Sequence, residues 1–148
     1  MRCGALPRNT FKLKDVSTET RVPDELVDLL TTNILGHVSL LTPSGRIATN
    51  VMWVDYDGEH VLTSSPIGGR KGRNWRLNPQ VAVSVVDREN PWRWVEVSGR
   101  VTDIHPDEGL AFINRMSERY TGRPYQRPGE REVFVITPDR VRSTAGRR

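Results

Sequence analysis

Cysteine occurs once in the 148 residues, at Cys3, so no intrachain disulfide can form and no cysteine-based metal site can be built. A reducing cytoplasm is the compartment that fits this usage, and Cys3 receives no role. Histidine is nearly as scarce. His37, His60 and His105 fall in different predicted elements, and none has another histidine at metal-ligand spacing, so no metal is expected. No apolar run approaches the roughly 20 residues that cross a bilayer, so no membrane partner is expected. The opening MRCGALPRNTFKLKDV lacks the continuous apolar stretch of a secretory signal. There is no G-x-S-x-G elbow, and no G-x-G-x-x-G after a first strand. No RNP, KH or helix-turn-helix signature occurs either, so nucleic acid is not the expected partner. With the carboxylates scattered and no nucleophile beside a base, the catalytic residues stay unassigned. The hard chemistry of any reaction is then expected to belong to a bound cofactor.

What is present suits one domain with one core. Hydrophobic residues make up 36% and charged residues 27%, with a net charge of +4 and a pI near 9.7, a modest excess that permits an anionic partner. Residues 1–20 show no clear period and read as an N-terminal arm. Residues 21–143 read as the domain, and 144–148 as a basic tail. VPDELVDLLTTN predicts a short helix with Leu26, Leu29 and Leu30 as its apolar stripe. Strands follow over ILGHVSLLT, RIATNVMWVDY and EHVLTSS, the last two joined at the hairpin signal Asp57-Gly58. RKGRNWRLN predicts a second short helix, and QVAVSVVD and WRWVEVSGRVTDI two more strands. PDEGLAFINRMSERY predicts the longest helix, opened by Pro106, and EVFVITPDRV a final strand. Six strands with few helices predict a small closed antiparallel barrel.

The segment SSPIGGRKGRNWRLNP, residues 64–79, places Arg70, Lys71, Arg73 and Arg76 within seven positions, just past Gly68 and Gly69. Three uses compete. In the first, Ser64, Ser65, the backbone N–H groups of a helix start and the cations converge on a phosphate, with Lys71 as a point charge and Asn74 donating one bond. In the second, the cations and nearby tryptophans track a nucleic-acid backbone. In the third, Arg73 and Arg76 are solvated while Trp75 and Leu77 pack the helix onto the barrel. The strand from Trp92 raises a related question. Val95 and Val97 mark the core side, which turns Trp92 and Trp94 outward, toward a subunit interface or a ligand pocket. Trp53 sits similarly between Met52 and Val54.

The order and spacing of GHVSLLTPSGRIATNVMWVDYDGEHVLTSS, GRKGRNWRLNPQVAVSVVD, PWRWVEVSGRVTDI and ERYTGRPY…PGEREVFVITPDRVR resemble the flavin-binding split-barrel proteins related to pyridoxamine 5′-phosphate oxidase. Within them, the chain is most similar to the actinobacterial branch that binds the deazaflavin coenzyme F420. The resemblance implies a mainly β fold with flanking helices, a six-stranded antiparallel split β-barrel of the FMN-binding type. It implies a homodimer with sites at the subunit interface, and a small-molecule substrate. It places Asn50, Val51 and Trp53 along the cofactor ring, and Thr63, Ser64 and Ser65 at the ring edge and linker. Arg70, Lys71, Arg73 and Asn74 would meet the phosphate and the tail beyond it. Trp92 and Trp94 would approach from the partner subunit. Relatives often carry a basic residue two before the lysine, where this chain has Gly69. The implied activity is hydride transfer between F420 and an unsaturated acceptor. The alternatives are an FMN-binding oxidoreductase and a non-catalytic cofactor carrier or sensor.

Overall fold

The structure, a computed structural model, describes residues 19–146. The expected arm lies almost wholly outside them. No helix among the described residues is long and apolar enough to cross a membrane.

Seven strands form one antiparallel sheet: β1 (Gly36–Leu41), β2 (Ile47–Met52), β3 (Asp55–Tyr56), β4 (Val61–Pro66), β5 (Gln80–Val86), β6 (Arg93–Pro106) and β7 (Arg131–Ala145), in the order β2-β1-β5-β6-β7-β4-β3. The long β6–β7 ribbon holds the sheet together. One end of β6 carries β5, and the opposite end of the ribbon carries β4 on β7. Two register shifts, at Ser98/Gly99 and Val101/Asp103, let the ribbon bend between these duties.

Closure by hydrogen bonds, expected from the sequence, does not occur, and the strands number seven rather than six. The second predicted strand divides at Trp53–Val54, because there the chain leaves one sheet edge, β2, and joins the other, β3. The barrel is thus split, with its two edges joined covalently by two residues. Val54 is fully buried, and Gly36 makes room for it: a Cβ on Gly36 would come within 2.7 Å of Val54 Cγ1. The final strand runs on to Ala145, so Thr144 and Ala145 belong to the sheet rather than to a basic tail.

The core lies where the alternating valines of β5 and β6 predict. Val83, Val85, Val95 and Val97 are buried with Val38, Val61, Phe134 and Ile136. Leu26, Leu29 and Leu30 join them, although their segment forms a 3-10 turn (Asp24–Leu26) and a short α1 (Asp28–Thr31) instead of one helix. Arg93, on the same side of β6 as the valines, pairs with Asp28 and Asp87 and so ties α1 to the sheet.

A second apolar cluster forms around Val133. Phe112, Ile113 and Met116 of α3 (Ala111–Thr121) pack on it, with Leu62 and Trp53. Burial of each of these three side chains contributes about 2 kcal/mol. α3 starts later than the sequence predicts. Pro106 closes β6, and the Asp107 carboxylate caps the helix by accepting the N–H groups of Phe112 and Ile113 at 2.8 and 2.9 Å. Buried Asp55 pairs with Arg115 and Arg119 at 3.1 and 2.8 Å, which pins α3 to β3.

Candidate functional site

An open cleft of about 640 Å³ lies where the split in the sheet meets α2 (Arg70–Leu77), α3 and the loop after α3. Val51, Met52 and Trp53 supply its wall at the seam, and Ser64 and Ser65 supply the end of β4. Phe112, Ile113 and Met116 form an apolar wall from α3. Lys71 reaches it from the first turn of α2, and Arg123, Tyr125, Arg127 and Arg131 close the remaining side.

Trp53 faces the cleft because Val54, the next residue, is drawn into the core. Its ring stacks on Tyr120, with centroids 5.4 Å apart and planes 12° from parallel. The Tyr120 hydroxyl donates to Ile34 O at 2.7 Å and accepts the Val54 N–H at 3.1 Å, so it stitches the seam to the start of β1. Burial raises its pKa above the ordinary phenol value, and the hydrogen bond from Val54 offsets only part of this. A proton bound more tightly in the folded state stabilises that state fully below the unfolded pKa of about 10. The contribution is lost as pH climbs through the higher folded value. Tyr120→Phe is therefore expected to cost about 1–2 kcal/mol near neutrality, by leaving backbone groups unpaired. The gap from wild type should narrow above pH 10, as urea denaturation at several pH values would show.

Of the residues singled out from the sequence, the cleft brings together Val51, Trp53, Ser64, Ser65 and Lys71. Thr63 lies behind them: it is fully buried, and its hydroxyl donates to Trp53 O at 2.8 Å, which holds the tryptophan's backbone. Asn50 stands beside Val51 in β2, its amide turned toward Val38 O at 3.5 Å. Arg70 and Arg73 are exposed on α2 outside the cleft, and Asn74 is half-buried there. Trp94 is half-buried in β6, and Trp92 is 66% exposed in the turn before it; neither lines the cleft of this chain.

Two members of the basic segment are structural. Trp75 is buried edge-on against Phe134, with centroids 4.7 Å apart, as the packing reading expects. Leu77 departs from that reading and is 74% exposed. Arg76 is not merely solvated: it grips both oxygens of buried Glu132 at 3.0 and 2.7 Å, and this bond holds its pKa above the usual arginine value. Gly72 permits that pair, because a Cβ there would come within 2.3 Å of Glu132 Oε1.

Residues 22–145 match the family model described as pyridoxamine 5′-phosphate oxidase. The chain belongs to the pyridoxamine 5′-phosphate oxidase family. Among solved structures, it is similar to an F420 reductase at 35% identity and a TM-score of 0.75, over 82% of this chain and 98% of that one. Two more distant likenesses show the fold alone. The conserved hypothetical protein Rv2991 from Mycobacterium tuberculosis matches at 23% identity and TM-score 0.68, over 88% of each chain. General Stress Protein 26 from Bacillus anthracis matches at 18% and 0.63, over 83% of this chain and 93% of that one. No curated protein matches.

Membership in the pyridoxamine 5′-phosphate oxidase family supports a flavin-type cofactor for this protein. The residues fit such a group. Lys71, Arg123, Arg127 and Arg131 line the cleft, and among the described residues no aspartate or glutamate does. At its edge, α2 has Gly69 as its N-cap and no side-chain cap, so its first N–H groups add to the positive field. Sequence reasoning missed Arg123, Arg127, Arg131 and the α3 wall. The only local signal for the three arginines was their recurrence in TGRPYQRPGER, which reads as an ordinary polar loop.

Proposed function

We propose that the protein is a reductase that holds coenzyme F420 in this cleft and reduces an unsaturated small-molecule acceptor, such as a conjugated C=C or C=N. The observation that carries the reading is the cleft's polarity. An aromatic and apolar wall runs into four cations, with no carboxylate lining the cleft among the described residues. That arrangement suits a ligand that is flat at one end and anionic at the other. F420 carries a phosphodiester and a polyglutamate tail, which match a row of cations better than the single phosphate of FMN. The 35% identity to an F420 reductase supports the same choice.

In this reading Lys71 meets the phosphate, and Arg70 and Arg73, with Asn74, extend the cationic path outward along α2. Ser64 and Ser65 face the linker. Asn50, Val51 and Trp53 flank the ring, with Thr63 fixing Trp53 from behind. The bound cofactor supplies the hydride; the chain orients it and excludes water. FMN remains the second reading, because the matching family model is that of pyridoxamine 5′-phosphate oxidase.

The reading includes a homodimer, supported by the exposure of Trp92 (66%) and Val51 (59%), large apolar side chains that a single chain leaves in water. Sedimentation equilibrium is expected to give two chains per particle. A monomer that binds cofactor fully would remove the partner's Trp92 and Trp94 from the site. Activity is tested by mixing reduced F420 and the protein with a panel of enones, quinones and tetrapyrroles. Oxidation of the cofactor by at least one acceptor is expected. Binding without oxidation across the panel would make the protein a carrier.

A further inference from the structure

Ser117 sits in the interior of α3 and is only 4% exposed, yet it lines the cleft. Ile113 and Met116, both apolar, line the same wall. Its neighbours along the helix fix its place. Asn114, three residues earlier, accepts the Tyr125 N–H through Oδ1 at 3.0 Å, and Tyr120, three residues later, stacks on Trp53. Residues three apart share a helix face. Ser117 therefore stands between the aromatic stack and the loop that carries Tyr125.

Its hydroxyl has no good partner within the chain. The one hydrogen-bond contact it makes among the described residues is with Thr121 Oγ1, at 3.5 Å. That is long for two hydroxyls, whose bonds centre near 2.7–2.8 Å. Thr121 is not the donor in it, because its own proton goes to Ser117 O at 2.7 Å. A serine inside a helix often turns back to the carbonyl four residues earlier. Here Thr121 makes that bond and Ser117 does not. Ser64 contrasts with it, since that hydroxyl is bonded to Arg131 among the cations. No charged group bonds to Ser117 among the described residues. A buried hydroxyl whose proton finds only a long contact is costly unless something else accepts it. A neutral donor in an apolar wall suits a neutral acceptor, such as one carbonyl oxygen at the edge of a flat ligand.

We propose that Ser117 is the hydrogen-bond donor for a conjugated carbonyl on the flat ligand held in this cleft. This rests on the reading of the cleft as a reductase site, where two ligands carry that chemistry. One is an acceptor whose C=C is conjugated to a ketone, and the other is the deazaflavin ring. The probes are benzalacetone, a planar enone, and the diene in which a methylene group replaces its carbonyl oxygen. Each is measured against the full chain by equilibrium dialysis, without cofactor and with F420, and F420 is titrated alone by tryptophan quenching. Ser117→Ala is expected to lower the enone-to-diene affinity ratio by about three- to tenfold, the scale of one neutral hydrogen bond. A fall of that size in F420 affinity with the ratio unchanged would assign the same bond to the cofactor ring. Ser117→Thr, which keeps the hydroxyl, should keep whichever affinity alanine loses. The thermal midpoint of Ser117→Ala should hold or rise, because alanine is the better helix former and only the long Thr121 contact is lost. A Ser117→Ala protein with the wild-type ratio and the wild-type F420 affinity would overturn the proposal. So would a lowered midpoint as its only effect, since the hydroxyl would then serve the helix alone. If F420 binds neither protein, the cofactor reading fails, and the ratio measured without cofactor still decides the role of Ser117.

Discussion

Lys71→Ala is expected to weaken F420 binding by about ten- to a hundredfold, the scale of a charge-assisted contact of roughly 1.5–3 kcal/mol. Lys71 is half-buried in the first turn of α2 and lines the cleft, and no carboxylate pairs with it among the described residues. Its charge is therefore available to a phosphate placed against the helix start. Arg70 and Arg73 share the helix but project outside the cleft, into water. Their alanine variants should each cost only about threefold, and less as salt is raised, because exposed charges are screened. Tryptophan quenching by F420 at two ionic strengths separates the cases. The Lys71 effect should persist at high salt, and the Arg70 and Arg73 effects should fade. Lys71→Arg should recover most of the affinity.

Gly99→Ala is expected to lower stability by about 3 kcal/mol, at the upper end of ordinary overpacking. Gly99 sits at the first register shift of the β6–β7 ribbon, where a Cβ would come within 2.1 Å of Thr137 O. The obstacle is backbone, so no rotamer change relieves it. The strands must separate or slip, and this ribbon carries both β5 and β4. Urea denaturation should show a lower midpoint with unchanged slope. Ser98→Ala, one residue away in the same strand, should change the midpoint little. Gly72 contrasts with Gly99. A Cβ there meets the far ends of the Glu132 and Arg76 side chains, which can move aside.

Most of the strands were legible because their apolar residues alternate. The side of β6 that faces the core followed from Val95 and Val97 alone, and both are buried. The division of the second strand was not legible. TNVMWVDY keeps its β-branched and aromatic character through Trp53 and Val54, and nothing local marks the step from one sheet edge to the other. That step is a property of the tertiary fold, in which Val54 packs against Gly36. The start of α3 was misplaced for a related reason. Pro106 and two acids look like a helix opening, yet Asp107 acts from a distance, capping N–H groups five and six residues on. In the cleft, the contribution of β4 and α2 was readable because SSPIGGRKG is contiguous. Arg131 was not, since its partners Ser64 and Tyr125 come from a strand and a loop that only the fold unites. Arg76 could not be told from a solvated charge until Glu132 was found beside it.

The central claim is that the cleft between Trp53 and Lys71 binds a deazaflavin with a polyanionic tail. Parallel equilibrium titrations of the purified protein with F420 and with FMN, read by tryptophan fluorescence, test it most directly. The account predicts saturable quenching by F420, binding of FMN weaker by about tenfold or more, and loss of the F420 response in Lys71→Ala. Tight FMN binding with no response to F420, or an unchanged F420 affinity in Lys71→Ala, would contradict it.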